Sequence, residues 1–70
     1  MSEAARITEA IIKTLVAIIA ERPAHMFTVV QLSRRTGLKQ DVVVALADVA
    51  VNRGRLRRIT HLGESYWGIS

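Results

Sequence analysis

The chain has 70 residues, half of them hydrophobic and only 4% aromatic, and its formal net charge is +4. This length supports one hydrophobic core and no second one, so we expect a single domain spanning residues 1–70. Because the chain contains no cysteine, disulfides, thiolate metal sites and a cysteine nucleophile are excluded.

A first helix is predicted from Ser2, which can cap its amino end, to about Arg22, because Pro23 restricts the residue before it. Its most apolar stretch, residues 11–20, is interrupted by Lys13 and is shorter than the roughly 20 residues that a membrane span requires. Acidic residues before this stretch also argue against a signal peptide. We therefore expect a cytoplasmic protein with no membrane contact.

The apolar residues of this helix cover about half of its circumference at ~100° per residue, which is more than packing on one side requires. The stripe expected to face the core is Ile7, Ile11 and Ile18. The other predicted elements leave one apolar flank of this helix uncovered, which consists of Ile12, Val16 and Ile19. We predict that this flank pairs with a second copy in a homodimer. The alternative is a monomer in which the flank lies under a C-terminal hairpin.

A second helix is predicted to start at Val29, because Thr28 and Gln31 have the spacing of a capping box. Gly37 can adopt the left-handed conformation that ends this helix after Thr36. The helix is therefore short, and a sharp turn follows it.

A third helix is predicted from about Gln40 to Arg53, with Gly54 as its left-handed terminator. Three successive valines at 42–44 favour a strand, but helical periodicity collects the apolar residues on one face. The expected core face is Val43, Leu46, Ala47 and Ala50. The expected outward face is Asp41, Val44, Ala45, Asp48 and Asn52.

The pattern after Gly54 changes to period two, which is typical of a β-hairpin. If His61 pairs with Ser65, residues 62–64 form a three-residue loop. The core face of this hairpin is then Ile59, Trp67 and Ile69, and the opposite face is Arg58, Thr60 and Tyr66. The expected fold class is α+β and mostly helical, with three helices and a two-stranded hairpin. A very short strand at residues 25–27 is the only other strand expected.

Six residues follow an apolar, small, glycine, apolar, apolar, apolar pattern: Leu32, Ser33, Gly37, Leu38, Val43 and Leu46. The exit from the third helix, residues 50–56, and the final strand with Tyr66, Trp67 and Ile69 add to this pattern. In these residues and in the order of its elements, the chain resembles the winged-helix (winged helix-turn-helix) family over nearly its whole length. The resemblance implies that the hairpin is the family's wing.

The family resemblance implies DNA binding, with the third helix in the major groove and the second helix and wing on phosphates. The charge distribution agrees, since residues 22–61 carry a formal charge of +6 and residues 1–21 carry −1. We therefore predict a dimeric DNA-binding transcriptional regulator that contacts the phosphate backbone of double-stranded DNA. The predicted DNA-binding residues are Arg34, Arg35, Lys39, Gln40, Arg55, Arg57, Arg58 and Tyr66.

The outward face of the third helix favours an alternative function. Asp41 and Asp48 on this face are repelled by phosphate, so sequence recognition through it is weak. Val44 and Ala45 between the acids suit a protein surface better. The alternative is a winged-helix protein-protein adaptor that binds a protein partner through helix three.

Catalytic chemistry has little support in the sequence. His25 and His61 lie far apart, neither has a cysteine partner, and there is no glycine-rich phosphate loop. We expect no enzymatic activity, no catalytic residues, no cofactor and no metal site.

Overall fold

The computed structural model describes residues 2–70 as three helices and three strands. The elements are α1 (Glu3–Ala20), β1 (Phe27–Thr28), α2 (Val29–Thr36), α3 (Gln40–Asn52), β2 (Leu56–His61) and β3 (Glu64–Ile69). The strands form one antiparallel sheet in the order β1-β3-β2. The predicted class, α+β and mostly helical, is confirmed. The very short strand expected at residues 25–27 lies at Phe27–Thr28, and it joins the predicted two-stranded hairpin as a third strand because Phe27 pairs with Trp67 and Thr28 with Tyr66.

The helix ends follow signals that lie within a few residues of them. Thr28 Oγ1 accepts from the Gln31 backbone N–H at 3.2 Å, and Gln31 Oε1 accepts from the Thr28 N–H at 3.1 Å, which completes the capping box. Gly37 ends α2 with a φ of 74°. The predicted start and end of α2 are therefore confirmed, while α1 ends at Ala20, two residues before the predicted Arg22.

The hydrophobic core lies where all three helices meet one face of the sheet. Its buried members are Ile12, Leu15, Ile18, Ile19, Phe27, Leu32, Val43, Ala47, Ala50, Leu56 and Trp67. The predicted core face of α3 is confirmed at Val43, Ala47 and Ala50, and Leu46 packs against them half-buried. Trp67 has no exposed surface, as predicted.

The buried face of α1 includes Ile18 of the predicted stripe, but it is rotated relative to that stripe. Ile12 and Ile19 have no exposed surface, and Val16 is half-buried against the core. Ile7, in the stripe expected to face the core, is instead 54% exposed. The reason is that α1 packs against both α3 and β3, so these two elements cover the flank that lacked cover in the prediction. The predicted dimer interface is therefore wrong at Ile12 and Ile19, which lie inside the domain, and Val16 is only partly accessible.

The hairpin turn is one residue shorter than predicted. His61 pairs with Glu64 and not with Ser65, so only Leu62 and Gly63 form the loop. Both have positive φ, 51° and 78°, as a two-residue type I′ turn requires. The prediction failed because Leu62 is not a residue that usually adopts this conformation.

This shift in register exchanges the two faces of β2, because side chains alternate along a strand. Arg58 lies opposite Trp67, on the face that meets the core. Ile59 lies opposite Tyr66 on the outer face and is 44% exposed. The predicted positions of Arg58 and Ile59 are therefore reversed, which changes the partners available to Arg58.

Candidate nucleic-acid interface

Four residues join α3 to the hairpin through a network that we call the α3–hairpin cluster: Asp48, Arg58, Ser65 and Trp67. Asp48 accepts from Arg58 Nη1 at 2.6 Å and from the Trp67 indole N–H at 3.2 Å. Arg58 also donates to Ser65 Oγ through Nε at 3.1 Å and Nη2 at 2.7 Å. Its guanidinium lies 5.1 Å from the Trp67 ring centroid, within range of a cation–π interaction.

The secondary structure brings these side chains together. Arg58 and Trp67 are cross-strand partners, and Ser65 lies two residues before Trp67 and so on the same face of β3. Asp48 meets them because β2 packs along one side of α3. Asp48 was predicted to face outward, but the hairpin covers it in part.

The hairpin also narrows the outward face of α3. Val44, predicted to be outward, is half-buried and packs against the core. The positions that remain exposed on α3 beyond its first residue are Asp41, Val42, Ala45 and Asn52. This exposed face has one carboxylate and no cation. Gln40, predicted to bind DNA, is exposed in the first turn.

Two of the predicted DNA-binding arginines form ion pairs with acidic residues of the same chain. Arg35 Nη2 lies 2.8 Å from Glu21 Oε2, just after the end of α1, and both side chains are about half exposed. Arg58 pairs with Asp48 at 2.6 Å. Exposed pairs stabilise a fold by only about 0.2–1 kcal/mol, so phosphate can compete for Arg35. Arg58 has the additional contacts to Ser65 and Trp67 that Arg35 lacks.

The other predicted cations are exposed and form no salt bridge within residues 2–70. We call them the four exposed cations: Arg34, Lys39, Arg55 and Arg57. Arg34 is in the last turn of α2, and Lys39 is the N-cap residue of α3. Arg55 and Arg57 lie at the base of the hairpin, just beyond the other end of α3. Since α3 has 13 residues, the two pairs lie about 20 Å apart along its axis.

The outer face of the sheet carries Tyr66, the last predicted DNA-binding residue. Tyr66 is half-buried between Ile59 of β2 and Thr28 of β1. Beside it, a Cβ at Gly68 would meet Met26 Sδ at 2.4 Å, so the missing side chain of Gly68 lets Met26 pack closely on the sheet. This contact was not predicted from the sequence, although a glycine inside a strand is a signal for close packing.

The two histidines have separate surroundings. His25 Nε2 lies 3.2 Å from Gln31 Oε1, and its ring meets the Phe27 ring edge-on at 4.5 Å between centroids. His61 is exposed beside the hairpin turn. Among residues 2–70, no three His, Asp or Glu side chains cluster as ligands of a metal ion would. Within the same residues, no helix has the length and apolar character needed to cross a bilayer.

Comparison with models of protein families, with curated proteins and with solved structures found no match for this chain. The function of the chain is therefore inferred from its own contacts and charges.

Proposed function

We propose that this chain is a winged-helix protein that binds double-stranded DNA, mainly through backbone phosphates. The observation that carries the proposal is the position of the four exposed cations, which lie in two pairs at opposite ends of α3. The order of α1, β1, α2, α3 and the hairpin, with the left-handed Gly37 between α2 and α3, supports the winged-helix assignment.

In this proposal α3 lies along the major groove and each pair of cations meets phosphates at one end of it. Each neutralised phosphate releases counterions, so four contacts give a log–log salt dependence with a slope of roughly −3.6, at about −0.9 per contact. Sequence recognition is weak, because the exposed face of α3 offers mainly Val42, Ala45 and Asn52. The aliphatic side chains suit thymine methyl groups, and the amide suits adenine.

A role in transcriptional regulation requires more specificity than this face provides, and a homodimer would supply it by placing two copies on adjacent half-sites. If the homodimer forms through α1, it can use the apolar stripe of the exposed Ala4 and Ile7 and the half-buried Ile11. Sedimentation of the wild type and of Ile7→Glu tests this. The cytoplasmic location stays a prediction.

The DNA-binding proposal is tested by titrating a short duplex of arbitrary sequence with the protein over a series of salt concentrations. The variant is Arg55→Ala with Arg57→Ala, and the matched control is Arg6→Ala with Lys13→Ala. Both double variants remove two exposed cations, but only the first removes them from the proposed interface. We expect the first to reduce the slope by about 1.8 and the control to leave it nearly unchanged.

Two results would contradict the proposal. An equal loss of affinity in both double variants would mean that net charge, and no localised interface, attracts the DNA. A wild-type protein without salt-dependent duplex binding would exclude DNA binding altogether.

The second candidate function is a protein-protein adaptor. It is favoured by the exposed face of α3, which has no cation and includes Val42, 37% exposed, and Ala45. A face without cations does not attract phosphate, whereas a protein partner can bury its aliphatic side chains. Capture of a protein partner by the wild type that is lost in Val42→Asp, together with no duplex binding, would favour this function.

A further inference from the structure

Arg57 and Arg58 are neighbours in the sequence, but their side chains lie on opposite faces of the sheet. Arg57 is exposed on the outer face and has no salt bridge within residues 2–70. Arg58 lies on the inner face, where it contacts Asp48, Ser65 and Trp67. Both arginines were predicted from the sequence to bind DNA. Their surroundings in the fold differ, so we expect the two side chains to have different roles.

We propose that Arg58 is a positioning residue, which holds the hairpin against α3 through Asp48, and that it does not bind phosphate. The inference rests on the proposed DNA-binding function only for its effect on affinity. The positioning role itself is a property of the protein without DNA.

The guanidinium group of Arg58 already has several partners within the protein. Three of its nitrogen atoms donate hydrogen bonds, Nη1 to Asp48 and both Nε and Nη2 to Ser65, and its Cζ lies 5.1 Å from the Trp67 ring centroid. The side chain is still 37% exposed, but a phosphate that contacted its remaining N–H groups would lie beside the carboxylate of Asp48. That carboxylate would stay beside the incoming anion, because Trp67 also holds it, and the two negative charges would repel each other.

The α3–hairpin cluster lies where the exposed outer half of the hairpin begins. Residues 59–64 beyond it are exposed, and Leu62 at the tip is 92% exposed. A two-stranded hairpin is only marginally stable alone, so its direction depends on where it is attached. Arg58 attaches β2 to α3, and Ser65 attaches β3 to Arg58. Loss of Arg58 therefore frees the outer half of the hairpin.

The experiment compares Arg58→Ala and Arg58→Lys with Arg57→Ala as the matched neighbour. Amide hydrogen exchange is measured without DNA, and salt-dependent duplex binding is measured separately. We expect both Arg58 variants to speed exchange of residues 59–66 at least several-fold, because the lysine keeps the charge but lacks the planar fork. Arg57→Ala leaves this exchange unchanged. Emission of Trp67, the only tryptophan, should shift in the Arg58 variants alone.

The salt dependence separates positioning from phosphate binding. Arg57→Ala should reduce the log–log slope by about 0.9, whereas Arg58→Ala should keep the wild-type slope at whatever affinity remains. The proposal is overturned if Arg58→Ala reduces the slope as Arg57→Ala does and Arg58→Lys restores it. Unchanged exchange in Arg58→Lys also overturns it. If the wild type binds no duplex, the proposed function fails, while the exchange measurements still decide the positioning role.

Discussion

The buried indole N–H of Trp67 donates to a carboxylate oxygen of Asp48 at 3.2 Å, so the sheet and α3 share a hydrogen bond at the edge of the core. A buried Trp requires such an acceptor, because an indole N–H removed from water without one is costly. Asp48 therefore has a structural role that its position on α3 did not indicate.

This bond predicts that Asp48→Lys destabilises the fold. The variant removes the acceptor of Trp67 and places an ammonium beside the Arg58 guanidinium. We expect the free energy of unfolding to fall by on the order of 1–3 kcal/mol. Asp48→Asn is the control, because its amide oxygen can still accept from Trp67, and it should lose much less. Urea denaturation measures both, and equal losses would contradict a role for the Trp67 hydrogen bond.

Two isoleucines on α1 test which flank of the helix is buried. Ile12→Ala should lower the free energy of unfolding by about 2–5 kcal/mol, because it leaves a cavity in the core. Ile7→Ala makes the same chemical change at a side chain that is 54% exposed. Since alanine also favours helices, that variant should change stability by less than about 1 kcal/mol. If Ile7→Ala lowered the free energy of unfolding more than Ile12→Ala does, the face predicted from periodicity would be the buried one.

The two-residue turn predicts that Leu62→Asn stabilises the hairpin. Leu62 adopts a φ of 51°, which asparagine tolerates better, and Asn-Gly is the preferred pair for a type I′ turn. We expect a gain of up to about 1 kcal/mol in the free energy of unfolding, which is part of the roughly 1–2 kcal/mol that a left-handed conformation costs an ordinary residue. Thermal or urea denaturation measures this gain. Leu62→Ala is the control, because it also removes the exposed side chain without easing the left-handed conformation. Equal effects of the two substitutions on the free energy of unfolding would mean that residue 62 does not adopt the left-handed conformation described.

The proposed orientation of α3 on DNA predicts a gain of affinity in Ala45→Lys. Ala45 lies on the exposed face of α3, so a lysine there adds an attractive charge without disturbing the core. The slope of the salt dependence should become steeper by about 0.9 if the new charge meets a phosphate. Ala17→Lys adds the same charge on the exposed side of α1 and should have little effect. No difference between the two would mean that α3 does not face the DNA.

The sequence alone determined the limits of α2 and the class of the fold. Thr28 and Gln31 cap α2 and Gly37 ends it through contacts between residues at most four positions apart. Such signals act before any tertiary contact forms, so they can be recognised from residue types and spacing. The basic character of the second half of the chain was equally visible.

Only the tertiary structure decided which flank of α1 is buried and which arginines form ion pairs. The apolar arc of α1 is wide enough to permit several rotations, and packing against α3 and β3 selected the one that buries Ile12. The hairpin register depended on a left-handed Leu62, and a shift by one residue moves every side chain to the other face. The observed register places Arg58 on the inner face of the hairpin, where it contacts Asp48. These two residues are ten positions apart in the sequence and meet only because β2 packs along α3.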